Sequence, residues 1–194
     1  MRVHTRLLTG LAPVLGVIAG LAPGALATSL EQLTLDEMAQ KSTAIVRARV
    51  TGSHSGMRGA NIYTFFELQV METWKSSGQT PGLTTTEVAI PGGVADGIRQ
   101  SVTGAPELKP GQEYVLFLWT SRSGLTQVIG LSQGLFQLSE EGSGKAVAKR
   151  PASSELMVDR SGLPVDDRAV SMPLQDLRTQ VRQALASAKS GAAK

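Results

Sequence analysis

The sequence predicts a mainly β fold (α+β) with one short helix at each end: a small OB-like barrel of five to seven strands, closed or partly open. Three observations carry this. Apolar and polar residues alternate in short runs between Thr43 and Ala148, the period of half-buried strands. All eight aromatic residues fall between Tyr63 and Phe136, which marks where the core is. A helix-start signature and an apolar helical stripe flank that region. Closing the sheet would remove exposed edges, and a two-sheet sandwich is the alternative.

Thr34-Leu35-Asp36-Glu37 reads as a capping box, opening a short helix that ends near Ser42, with Leu35, Met38 and Ala39 inward. From Thr43 to Thr51 the chain alternates: Ala44, Val46, Ala48 and Val50 share one face, and Ile45, Arg47, Arg49 and Thr51 the other. A glycine-bounded turn, Gly52 to Gly59, leads to a long strand from Ile62 to about Lys75, with a bulge near Met71 expected to bend it. Ser76 to Gly82 is read as loop, and Thr84 to Ile90 as a third strand, stopped by Pro91-Gly92-Gly93.

Val94 to Lys109 shows no period and reads as a long surface connection. Pro110-Gly111 suits the centre of a type II turn and launches Tyr114 to Trp119, a continuous apolar run of the kind found in central strands. Ser123-Gly124 turns the chain into Leu125 to Gly130. A hairpin, Leu135 to Ser139 and Lys145 to Ala148, closes around Glu141 to Gly144, giving five or six strands in meander order. Arg150 to Ser171 reads as an irregular wrap. Pro173 suits the first turn of a last helix whose stripe is Leu174, Leu177, Val181 and Leu185, before a tail from Ala186 that should fray.

Arg2 and Arg6 precede an uncharged run from Leu7 to Leu26 that ends in Ala25-Leu26-Ala27. That pattern is expected of a cleaved secretory signal (residues 1–27) and places the protein in the periplasm or outside the cell. A spanning anchor is the rival, but Pro13, Pro23 and four glycines interrupt the run, so no stable anchor is expected after cleavage. The domain organisation then reads as 28–148, a barrel with its N-terminal helix, and 149–194, the wrap, helix and tail. The chain has no cysteine, so its stability rests on its core rather than on disulfides. Without Arg2 and Arg6 the 19 basic residues nearly balance the 16 acidic ones and are interspersed with them, so no nucleic-acid footprint is present.

Several blocks carry a resemblance: Ala44-Ile45-Val46 with Val50, Tyr63-Thr64 through Val70 to Trp74-Lys75, Pro91 to Gly93, Gly104 to Leu118, and Gly130 to Phe136. Across Leu33 to Leu138 the chain resembles a group of uncharacterised exported bacterial β-barrel proteins, which transfers no activity. More distantly, Gly111 to Phe117 is similar to a strand of netrin-like or metalloproteinase-inhibitor-like OB barrels. The mechanism of those inhibitors requires an N-terminal cysteine, which is absent, so the resemblance implies the fold alone.

Chemistry is sparse. Beyond the leader, His54 is the single histidine; Ser53-His54-Ser55 reads as a solvated turn, and no Gly-x-Ser-x-Gly is present. One histidine and no cysteine do not build an ordinary zinc site. Asp159, Asp166 and Asp167 match no calcium loop and read as solvated acids. Glu140-Glu141 reads as a hairpin tip rather than a glycosidase pair. Pro91-Gly92-Gly93 lacks the lysine and hydroxyl of a phosphate cradle.

By elimination, the 94–106 connection is the expected binding loop, with Asp96, Ile98, Arg99 and Gln100 as recognition side chains. Arg47 and Arg49 are candidates for an anionic ligand, against a plain solubilising role. No catalytic residue, metal or cofactor is expected. The function read from the sequence is an exported non-enzymatic binding or accessory module for a protein or small ligand of the cell envelope. A protease-inhibitor-like protein and a hydrolase with an unfamiliar site are the alternatives.

Overall fold

The computed structural model describes residues 29–76, 84–142 and 144–191, with side chains through 188. The expected leader and its cleavage site, and most of the 76–82 loop, lie outside the described residues. Thirteen strands and two helices occur among the described residues. They are β1 (Ser29–Glu31), α1 (Leu35–Lys41), β2 (Ala44–Arg58), β3 (Asn61–Ser76), β4 (Thr85–Pro91), β5 (Gly93–Ala95), β6 (Ile98–Gln100), β7 (Glu113–Thr120), β8 (Thr126–Val128), β9 (Leu135–Glu141), β10 (Lys145–Arg150), β11 (Leu156–Val158), β12 (Pro164–Val165), β13 (Val170–Pro173) and α2 (Leu174–Gly191). The fold is mainly β, and its sheets are not closed. No described helix is long and apolar enough to cross a membrane.

The principal sheet has the order β13-β10-β9-β7-β2-β3-β4, with β8 also paired to β7. This is not the expected meander: β9 pairs with β7 beyond the end of the short β8, and β7 pairs with β2 across a long gap in sequence. The long β2–β3 hairpin bends at three places, where Trp74 and Met71 on β3 and Thr51 on β2 fall outside the pairing. The bulge expected near Met71 is therefore present. Bulges of this kind increase the local twist, and they accompany a curl that rolls one face of the sheet inward.

That inner face carries Val46, Val50, Phe66, Leu68, Val88, Ile90, Tyr114, Leu116, Leu118 and Val128. On the opposite face Ile45, Val115, Phe117, Phe136 and Leu138 meet Met38 and Ala39 of α1 and Leu174, Leu177, Val181 and Ala184 of α2. β7 is thus covered on both sides, which is why its sequence is continuously apolar rather than alternating. The capping box of α1 forms as expected: the Glu37 amide donates to Thr34 Oγ1, and the Thr34 amide donates to Glu37 Oε2. Gln112 N bonds Lys109 O around Pro110-Gly111, with Gly111 at φ +78°, as a type II turn requires.

Several expectations need correction. The 52–59 stretch is no turn: β2 runs on to Arg58, because pairing with the aromatic-rich end of β3 outweighs the weak strand preference of Gly52, Ser53 and Ser55. The 94–109 connection holds the β5–β6 hairpin, and the 150–171 wrap holds β11, β12 and the start of β13. Pro173 ends β13 rather than starting the helix, and α2 continues to Gly191 through helix-favouring alanines instead of fraying at Ala186. Trp119, expected in the core, is 45% exposed: it shares the helix-covered face with Phe117 but lies beyond the helices.

Two buried polar clamps hold the periphery. Gln133 Nε2 donates to Glu31 O while its Oε1 accepts from Leu33 N, fastening the β1 end to the turn before β9. Arg150 and Asp167 form a bidentate pair at 2.7 and 2.9 Å, and the Ser153 amide donates to the same carboxylate. The Arg150 guanidinium lowers the Asp167 pKa to about 2, against an opposing contribution from burial.

Asp167 ionises more readily folded than unfolded, so its stabilisation is complete above the ordinary value of 3.8 and fades as pH falls from about 4 towards about 2. D167N is expected to lose about 2–3 kcal/mol at pH 7 by urea denaturation, with the gap to the parent protein narrowing over that acid window. An equal gap at pH 7 and at the lowest pH where both remain folded would contradict this.

Candidate functional site

The sequence-predicted residues do not gather into one site. Asp96 and Gly97, at φ +50° and +75°, form the two-residue loop of the β5–β6 hairpin. Asp-Gly is a strong signal for such a loop, and it was present in a segment that otherwise reads as aperiodic. Asp96, Ile98 and Arg99 are exposed on the hairpin. Gln100 is a strut: its Oε1 accepts the buried Ile62 amide at 2.5 Å. Gly92 N donates to Ile62 O, so the hairpin is pinned at both polar groups of one residue. A Cβ on Gly93 would lie 2.6 Å from Thr64 Oγ1 and 2.8 Å from Ser55 Oγ, so the Pro91-Gly92-Gly93 stop is a close crossing of β5 over β2 and β3.

Arg47 and Arg49 belong to an ion-pair chain. Arg47 bridges Glu113 at 2.7 Å and Glu72 at 3.0 Å, and Arg49 holds the other Glu113 oxygen. Arg178 of α2 also reaches Glu72 and sits 5.5 Å from the Trp74 ring centre, while Trp74 Nε1 donates to Glu72. Partial burial pushes the Glu113 carboxyl up, but the two guanidiniums outweigh it and hold it below the ordinary range. An incoming anion would have to displace Glu113.

The other candidates have local roles. His54 stacks on Phe65 at 5.1 Å, and Ser55 Oγ lies 3.2 Å from Thr64 Oγ1. Asp159 accepts from the Ser161 and Leu163 amides within its own turn, Asp167 holds Arg150, and Glu141 pairs with Lys149. Among the described residues no three His, Asp or Glu side chains are grouped to hold a metal.

The geometry instead builds a site where the curled sheet fails to close. Among the described residues β4 pairs only with β3 and β8 only with β7, yet their Cα atoms come within 8 Å of each other with no ladder between them. The flanking hydrogen bonds Val70 N to Thr84 O and Gly92 N to Ile62 O set the alternation of β4. By it, Glu87 and Ala89 turn their backbone N–H and C=O away from β3. Ser121 N to Leu125 O and Ile129 N to Phe117 O do the same for β8, so Thr126 and Val128 point away from β7. Ala89 is 1% exposed and Val128 6%, so two buried residues direct backbone groups into the seam with no ladder partner there among the described residues.

Two cavities open along this seam. One, of about 210 Å³, is lined by Pro91, Trp119, Gln127, Ile129 and Leu131 together with Ala89, Ile90 and Val128 of the two edges. None of its lining residues among the described ones carries an ionisable side chain. Leu131 has φ +62°, a left-handed conformation that costs a leucine on the order of 1–2 kcal/mol. The other cavity, of about 180 Å³, is polar and is lined by Arg58, Phe65, Glu87 and Thr126. Ala89 borders both. Trp119, Leu131 and Pro91 were missed in the sequence because only the curl brings them together. A tryptophan closing the apolar run of β7 was the one available signal.

Compared with protein-family models, curated proteins and solved structures, the chain matches none of them.

If Gln100 is a strut rather than a recognition residue, Q100A should lower stability by about 1–3 kcal/mol through the orphaned Ile62 amide. Thermal and urea unfolding check this. A fully stable Q100A protein would restore Gln100 as a candidate ligand contact.

Proposed function

We propose that this protein is an exported, non-enzymatic binding module and that its ligand site is the β4–β8 seam. The observation that carries the reading is the cavity beneath Trp119: a half-exposed indole, a strained leucine and a proline around a recess that borders unpaired backbone groups. Such a recess favours an apolar group with hydrogen-bonding capacity at its edge. It offers no nucleophile, general base or charge to drive a reaction.

The OB-like reading of the barrel is part of this proposal. The order β8-β7-β2-β3-β4, with each strand antiparallel to the next, supports it. Export rests on the sequence alone and requires recovery from the cell envelope or medium with Thr28 as the first residue.

Titration with an anilinonaphthalene sulfonate dye, followed by the dye's own emission on direct excitation, tests the site. Saturable binding is expected, at least ten-fold weaker in W119A, with unfolding stability changed by no more than about 1 kcal/mol. Equal dye affinity in W119A would defeat the assignment.

A further inference from the structure

We infer that the seam accepts an extended peptide segment from a partner protein, inserted between β4 and β8 and antiparallel to both. The inference rests on the seam being the ligand site, and it names the occupant. Five strands curl around the inner core in the order β8-β7-β2-β3-β4, and every neighbouring pair is antiparallel. An odd count makes the first and last strands run the same way. β4 and β8 therefore approach as a parallel pair, the less stable pairing, and no ladder joins them. A sixth strand restores alternation all the way round.

The polar groups of the seam call for a backbone. Glu87 and Ala89 on one side, and Thr126 and Val128 on the other, direct N–H and C=O into the gap. A small apolar molecule leaves them unpaired, whereas an extended chain pairs with both rows at once. Pro91 has no N–H and, by the same alternation, faces the gap without disturbing the β3 ladder. The two cavities then receive side chains projecting from one segment: an apolar one beneath Trp119, and a polar one between Arg58 and Glu87. Two strand spacings require about 9.5 Å between β4 and β8, so the gap widens from its present width. No ladder between them is broken by that movement.

A displayed library of random seven-residue peptides, selected against the full chain, tests this. Enriched peptides are expected to alternate apolar and polar residues and to change Trp119 fluorescence. N-methylation of two adjacent central amides, which leaves every side chain in place, should weaken them at least ten-fold. A89P removes one seam-facing amide outside the β3 ladder and should weaken the same peptides about ten-fold. No enrichment, or equal affinity of the N-methylated peptides, overturns strand insertion. Continued dye binding beneath Trp119 in that case shows that the seam remains a site and only its occupant was wrong, whereas loss of both removes the seam altogether. Should A89P fail to fold, the N-methylated peptides decide the matter alone.

Discussion

An antiparallel sheet of five strands cannot close on itself with antiparallel pairing, and much of this molecule's surface follows from that constraint. The bends of the β2–β3 hairpin accompany a roll of the sheet around Phe66, Leu68, Tyr114 and Leu116 until β4 lies beside β8. Hydrophobic burial favours the roll, because the inner face is apolar on every one of those strands. Hydrogen bonding does not complete it. The outcome is an apolar interior with one unzipped line, and backbone groups of buried residues end at that line.

The two helices explain why the roll stops where it does on the other face. α1 and α2 cover Ile45, Val115 and Phe117, so β7, and β2 at Ile45, are buried on both sides. Their cover ends before Trp119, and the indole is left over the mouth of the seam. A side chain that reads as core is thereby turned into a surface feature by the reach of a helix. The ion-pair chain from Arg49 through Glu113, Arg47 and Glu72 to Arg178 ties the outer sheet face to α2 and holds the helix in register.

Much of the fold was legible because it rests on local pattern. The α1 cap, the bulge near Met71, the Pro110-Gly111 turn, the two-sided burial of β7 and the stripe of α2 all follow from residues within a few positions of one another. The Asp96-Gly97 hairpin was equally local but passed unread, because strands of three residues give no period to see. The seam was not legible. It depends on a pairing that does not form between segments about forty residues apart, and patterning records which face a residue takes, not which edge stays free. Gln100 shows the same limit: a polar side chain in a loop reads as a contact for a ligand, and only the position of Ile62 makes it a strut.

Amide hydrogen exchange tests the open seam most directly. The account predicts alternation along both edges: fast exchange at Glu87 and Thr126, whose amides face the gap and are not buried, and strong protection at Val88, Ile90 and Gln127, which bond inward to β3 and β7. Protection at Glu87 and Thr126 equal to that of those residues would mean that the seam is zipped, and would contradict the account.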